Sequence, residues 1–288
     1  MPHLFTNRTK LSDLTRSTPD LQADFRWETA NAILYKVGGF LFIIGSVLFF
    51  PRFEAYQNMG AWIFFIGSIL YLVVTGHDML ELRKFWRQRS HHAPGRRLEL
   101  IAASSYLMGT LLFTVGSLFF LSWWGWVDAG AWCFIIGSLL FVLGAGVNVL
   151  QIVQAPSLLS MQMTNLTAVT FVVGSVLFAV ASVPYLWSFD DPANKLRLFT
   201  FLAWQYLIGS LLFFLGGIFN YYRAFLLMRR RRDGASQHAN DDAMLMAYLR
   251  GEISAEEFRQ AWGHKGVASR TAQSLTPKTV PDSLSGHR

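Results

Sequence analysis

Six long apolar runs, separated by polar segments, dominate the pattern along the chain. A helix needs about 20 mostly apolar residues to cross a bilayer, and each run is close to that length. Runs this long with internal glycines favour helices, because a helix satisfies its own backbone hydrogen bonds in lipid. The pattern predicts an all-α polytopic membrane protein with six transmembrane helices. The runs are 34–50, 58–76, 101–121, 129–150, 166–187 and 199–222.

Short and long gaps alternate between these runs, which predicts three membrane hairpins and a small cytoplasmic two-helix tail. The short gaps, near 51–57, 122–128 and 188–198, each turn two spans into a hairpin. The predicted division is an N-terminal segment 1–32, a first hairpin 33–77, a basic loop 78–100, a second hairpin 101–150, a loop 151–165, a third, diverged hairpin 166–222, a basic linker 223–240, a helical tail hairpin 241–263 and a disordered tail 264–288.

One apolar motif recurs in all three hairpins, which indicates internal duplication. It reads "AWIFFIGSILYL" from Ala61, "AWCFIIGSLLFV" from Ala131 and "AWQYLIGSLLFF" from Ala203. Gly-Ser occurs in every one of the six spans. Matching these pairs gives an offset of 71 residues from Gly45 to Gly116, but only 58 from Gly116 to Gly174. The hairpins are therefore predicted to be parallel repeats of one unit, of which the third has drifted.

Small residues seven apart accompany the Gly-Ser pairs. Seven residues are nearly two helical turns, so each set forms a stripe of small side chains on one helix face. In lipid such stripes allow close backbone approach, and serine can bond across helices or to its own i−4 carbonyl. The predicted helix-packing residues are Gly38, Gly45, Ser46, Gly60, Gly67, Ser68, Gly109, Gly116, Ser117, Gly130, Gly137, Ser138, Gly144, Gly174, Ser175, Gly209, Ser210 and Gly216.

Composition supports a membrane protein and excludes several other classes. The chain is 52% hydrophobic and 15% charged, where a soluble domain carries about 25% charged residues. Its net charge of +7 is spread between apolar runs, so it does not form a basic face for nucleic acid. The only cysteine, Cys133, excludes a disulfide within one chain. Counting flanking Lys and Arg gives 15 on the side of the termini and 3 on the other, which predicts both termini in the cytoplasm.

Few residues within or beside the spans suggest chemistry. Lys36 is the one charged residue inside the six runs, close enough to the membrane surface to snorkel. His91 and His92 are adjacent in a basic loop with no carboxylate or cysteine at ligand spacing, which favours surface residues over a metal site. No nucleophile–base set or phosphate loop is recognisable, so the sequence predicts no catalytic residue, no cofactor, no metal and no enzymatic activity.

The residues from Trp27 to Leu72, "WETANAILYKVGGFLFIIGSVLFF…GAWIFFIGSILYL", resemble the YrhK-like domain family, a bacterial two-span membrane module. The second hairpin, from Tyr106 to Val142, resembles it as well, and the third does so weakly because "SFDDPANKLRL" replaces the compact turn. The resemblance implies a location in the bacterial cytoplasmic membrane and no catalytic residues.

The segment "DDAMLMAYLRGEISAEEFRQAW" from Asp241 predicts a helical hairpin in the tail. Gly251 can end a first helix in the left-handed conformation, and Ser254 with Glu257 forms a capping box for a second. This segment resembles the short C-terminal domain (SHOCT) of many bacterial membrane proteins, which implies oligomer or partner contacts. The predicted apolar seam consists of Leu245, Leu249, Ile253, Phe258 and Trp262.

Two functional hypotheses from different classes follow. The first is a non-enzymatic scaffold or sensor whose tail contacts a second copy of the chain or a cytoplasmic protein. The alternative is a channel or facilitator for a neutral small solute, suggested by six spans and internal repeats. Proton coupling is not expected, since the predicted spans contain no Asp, Glu or His relay.

Overall fold

The computed structural model describes residues 21–87, 96–150, 158–188, 191–232, 244–245, 247–248 and 251–260. Six long helices make up the first compact unit, which ends at Ala235. Each contains a stretch long and apolar enough to cross a membrane, which confirms the predicted all-α, multi-pass architecture. The helices are α1 Leu21–Leu48, α2 Gln57–Arg87, α3 Arg96–Phe119, α4 Val127–Leu150, α5 Leu158–Ser182 and α6 Pro192–Arg232.

The helices extend beyond the apolar runs at the end of the unit where α1 begins, which we call the basal end. Segments predicted as loop or linker are helical there. Apolarity determines which part of a helix lies in lipid, whereas the helix itself continues as long as each turn satisfies its own backbone. The added helical segments are 21–32, 78–87, 96–100, 158–165 and 223–232.

Three tight connections lie at the opposite end, which we call the hairpin end. A 3₁₀ turn at Pro51–Tyr56 joins α1 to α2, and a second at Val183–Leu186 follows α5. Between α3 and α4, Gly125 has a φ of 66°, a conformation that suits glycine. Asn58 donates to Ser122 Oγ at 2.7 Å and accepts from its backbone N–H at 2.8 Å, which joins the first two connections.

The six helices form a closed ring. Each packs against its neighbours along the chain, and α6 returns to pack against α1. The faces away from the ring axis carry exposed apolar side chains, as Ile33, Val37 and Phe40 of α1 illustrate. This arrangement suits a lipid surround, because lipid does not penalise an apolar exterior.

Aromatic rings fill the interior of this ring of helices. They recur every seven residues on each helix, three residues before a glycine in most cases. Rings from helices that are not neighbours touch across the axis: Phe113 and Phe178 have centroids 5.6 Å apart, and Phe64 and Phe134 6.1 Å. All belong to one buried cluster. Its aromatic members are Tyr35, Phe42, Phe49, Phe64, Tyr71, Tyr106, Phe113, Phe120, Phe134, Phe141, Phe171, Phe178, Tyr206 and Phe213.

Candidate functional site

Glycines and aromatic rings interlock reciprocally within each hairpin. The ring of Phe42 on α1 lies against Gly67 of α2, where an added Cβ would be 3.0 Å from a ring carbon. Phe113 lies in the same way against Gly137, where that distance is 2.8 Å. Ordinary contact begins at about 3.4 Å, so these glycines provide the space that the core rings occupy.

The same glycines bring the backbones together. A Cβ on Gly109 would lie 2.9 Å from the carbonyl oxygen of Gly137. A Cβ on Gly174 would lie 3.0 Å from the carbonyl oxygen of Gly209. Such proximity permits dispersion and Cα–H···O contacts along the whole stripe, which replace the missing hydrophobic drive in lipid.

The third hairpin pairs in a different register from the one that matching Gly-Ser pairs suggests. Gly174 of α5 pairs with Gly209 of α6, as Gly109 of α3 pairs with Gly137 of α4. Gly174 is therefore the equivalent of Gly109, which lies 65 residues earlier, and not of Gly116, which lies 58 residues earlier. Ser182, also 65 residues after Ser117, supports this register. Gly-Ser fits any position on a small-residue stripe, so the motif alone cannot distinguish registers seven residues apart.

The buried serines make two kinds of hydrogen bond. Ser46 and Ser117 donate to the carbonyl oxygens of Phe42 and Phe113, each at 2.7 Å. Ser46 also lies 2.9 Å from Ser210 across the α1–α6 contact. Within the part of the chain that the structure describes, three further buried serine hydroxyls have no hydrogen-bond partner, those of Ser68, Ser138 and Ser175.

The remaining predicted glycines also lie at helix–helix contacts. Each would bring an added Cβ within about 3.1 Å of a neighbouring side chain or backbone atom. Gly38 faces Tyr71, Gly45 faces Phe64, Gly60 faces Leu48, Gly116 faces Phe134, Gly130 faces Phe120, Gly144 faces Tyr106 and Gly216 faces Thr170.

Two glycines outside the predicted small-residue stripes close the ring. Gly39 of α1 lies against the backbone of Phe214, where an added Cβ would be 3.2 Å from its Cα. Gly217 of α6 lies against the ring of Tyr35, where an added Cβ would be 2.5 Å from a ring carbon. A sequence signal exists for both, because the doublet Gly-Gly occurs only twice in the chain, at 38–39 and 216–217. One glycine of each doublet faces its own hairpin and the other faces the α1–α6 contact.

Polar residues continue the aromatic pattern at the basal end. Seven residues beyond Tyr71 lies Asp78, and seven before Tyr106 lies Glu99, whose side chain is buried at 2% exposure. Both fall in helical stretches that could span a membrane, so Lys36 is not the only charged residue there. The Lys36 ammonium lies 4.1 Å from the centroid of the Tyr221 ring. Glu99 was missed because it falls within the predicted basic loop 78–100, although its heptad spacing from Tyr106 was a usable signal.

In the second compact unit, which begins at Ser236, the described residues include short helical segments at 244–245, 247–248 and 255–260 and a turn at Gly251. Gly251 has a φ of 72°, and the Glu257 N–H donates to Ser254 Oγ at 3.2 Å. The Glu257 carboxylate accepts hydrogen bonds from the Ser254 N–H at 2.7 Å and from the Ser254 hydroxyl at 2.9 Å, and these two bonds hold the pKa of Glu257 below its ordinary value.

Only part of the predicted apolar seam of the tail lies within the residues that the structure describes. Phe258 stacks on Tyr248, with centroids 4.8 Å apart, although Tyr248 was not predicted to take part. Leu245, Ile253 and Phe258 are half-buried. Leu249 and Trp262 lie outside the described residues.

Comparison with known proteins gives one family. The family model described as YrhK-like protein matches the chain twice, at residues 25–81 and 96–153. These segments correspond to the first and second hairpins, so the module is repeated. No curated protein and no solved structure matches the chain.

Proposed function

From two YrhK-like modules in a ring of three hairpins, we propose a non-enzymatic scaffold or sensor of the bacterial cytoplasmic membrane. Its tail, in the cytoplasm, contacts a second copy of the chain or a cytoplasmic protein. The observation that carries this proposal is the aromatic filling of the ring axis. Six rings, one from each helix, are joined by ring–ring contacts into one layer: Phe42, Phe64, Phe113, Phe134, Phe178 and Tyr206.

This layer argues against solute passage along the ring axis. Phe113 stacks on Phe134 at 4.6 Å with an angle of 9°, and both belong to the cluster that crosses the axis. A neutral solute would have to displace several large rings that glycines of neighbouring helices hold in place. A bundle that is packed through its centre suits a platform for protein contacts better than a pore.

The tail supplies the surface for such contacts. Among the described residues of the tail, Leu245, Ile253 and Phe258 are only half-buried, and Tyr248 is 38% exposed. A unit this small buries little apolar surface on its own. A partner that covers Phe258 and Ile253 would remove that surface from water, which is the main source of binding energy here.

Crosslinked capture from native membranes tests the tail's role. The full chain is compared with a chain that ends at Arg232 and with a Phe258→Asp variant. Gln260→Asp, which adds the same charge at an exposed position of the same helix, is the matched control. We expect a defined partner, or further copies of the chain, with the full chain and the control only. Equal capture by all four chains would refute the tail as the contact.

A flux assay addresses the alternative. Liposomes that contain the purified chain should release small neutral solutes no faster than empty liposomes. Faster release that disappears when Phe113 is enlarged to Trp would instead support a channel along the axis.

The orientation is tested by cysteine labelling in a chain with Cys133→Ala. We expect a cysteine at position 124 to react with a membrane-impermeant maleimide on intact cells, and one at position 260 to react only after permeabilisation. The reverse pattern would contradict the positive-inside assignment.

A further inference from the structure

Three potential metal ligands converge on α2 at the basal end. His77, Asp78 and Glu81 each place one ligand atom within 4.8 Å of the others. The His77 Nε2 and Glu81 Oε1 atoms are 3.7 Å apart. Two atoms bound to one tetrahedral zinc ion are about 3.4 Å apart, given metal–ligand distances of about 2.1 Å. Small rotamer changes of half-exposed side chains would therefore bring all three onto one ion.

The position of this cluster sets it apart from an ordinary charged helix surface. Asp78 continues the heptad of Phe64 and Tyr71, whose rings face the ring interior. On the neighbouring helix, the buried Glu99 lies one turn before Ala103, which packs against Met79 and Leu82 of α2. Two carboxylates thus occupy heptad positions of the interior at the end of adjacent helices.

An independent observation comes from α1. Asn31 is 1% exposed, and neither its amide oxygen nor its amide nitrogen has a hydrogen-bond partner among the described residues. A buried amide without hydrogen-bond partners is destabilising, so a water or an ion normally accounts for it. The Gly38–Gly67 pairing places Asn31 opposite Val74, one turn before Asp78. Helical side chains lean towards the helix N-terminus, which for α1 is the basal end.

We propose that His77, Asp78 and Glu81 bind a divalent transition-metal ion at the basal end of the ring. The Asn31 amide is then available to a metal-bound water. An imidazole nitrogen with carboxylate oxygens favours ions such as Zn²⁺ or Mn²⁺, whereas all-oxygen sites favour Mg²⁺ or Ca²⁺. This site goes beyond the proposed scaffold role and does not depend on it.

Zinc binding to the purified full chain, without a histidine tag, tests the proposal. Equilibrium dialysis with elemental analysis should give one Zn²⁺ for each chain, and excess Mg²⁺ should not displace it. His77→Gln and Glu81→Gln should each weaken binding by at least about tenfold. The controls are Glu54→Gln, at an exposed position of the hairpin end, and the double variant His91→Gln/His92→Gln, which should bind zinc as the wild type does.

Two results would overturn the site. One is wild-type zinc affinity in the His77→Gln variant, and the other is loss of binding in the His91→Gln/His92→Gln variant alone. Thermal unfolding without zinc, compared between variants, separates loss of ligands from loss of fold. Asn31→Leu extends the test: it should weaken zinc binding by about tenfold while the zinc-free protein stays folded. Unchanged affinity in this variant would count against the contribution of α1.

Discussion

Replacement of Gly137 by alanine adds one methyl group at a crowded contact between the two helices of the second hairpin. The new Cβ would lie 2.8 Å from Cδ2 of Phe113 and 3.0 Å from the Gly109 carbonyl oxygen. Ordinary contact needs about 3.4 Å, so the ring or the helix must move by about 0.6 Å. Phe113 has little room to move, because it stacks on Phe134 at 4.6 Å and contacts Phe178 at 5.6 Å.

The expected magnitude follows from two opposing effects. Overpacking a rigid core costs about 1–3 kcal/mol. Alanine in place of glycine within a helix stabilises the helix by up to about 1 kcal/mol. Gly146→Ala on the same helix isolates the second effect, because no described atom lies within 4 Å of a Cβ at that position. We therefore expect Gly137→Ala to be less stable than Gly146→Ala by about 1–3 kcal/mol.

Thermal unfolding in detergent, followed by tryptophan fluorescence, measures this difference. For chains of about this size, 1 kcal/mol corresponds to roughly 2–4 °C in Tm. A double-mutant cycle adds a sharper test: in a Phe113→Leu background, Gly137→Ala should cost less, because the smaller side chain leaves room for the methyl group. A Gly137→Ala variant as stable as Gly146→Ala would refute the interlocking of glycine and ring.

Three further outcomes are expected. Ser46→Ala should lower the free energy of unfolding by about 0.5–1.5 kcal/mol, because it removes a hydrogen bond across the α1–α6 contact. In the same unfolding assay, Ser104→Ala at an exposed position should stay within about 0.5 kcal/mol of wild type. Gly217→Ala should destabilise the ring closure by about 1–3 kcal/mol while Gly76→Ala, with no described atom within 4 Å of its added Cβ, should not. The lowered pKa of Glu257 means that the tail cap is stabilised above the ordinary pKa of a glutamate and weakens as pH falls through the lowered value. NMR of the capping amide should report this acid transition, and Glu257→Gln should abolish it.

Much of the architecture follows from local pattern. Length and apolarity identify six spans because a bilayer imposes the same thickness on each helix. The capping box of Ser254 and Glu257 was predictable because its hydrogen bonds join residues only three apart. The small-residue stripes were also visible, since a period of seven appears in one helix without knowledge of its partner.

The tertiary structure decided what depends on pairs of distant segments. It closed the ring through Gly39 and Gly217, it set the register of the third hairpin, and it buried Glu99 at the basal end. The aromatic heptads were present in the sequence, but their role was not, because a phenylalanine facing lipid and one facing a core look alike in an apolar run. In a membrane both environments are apolar, so hydropathy cannot tell them apart. Only the packing of one helix against another assigns each ring to the axis or to the lipid.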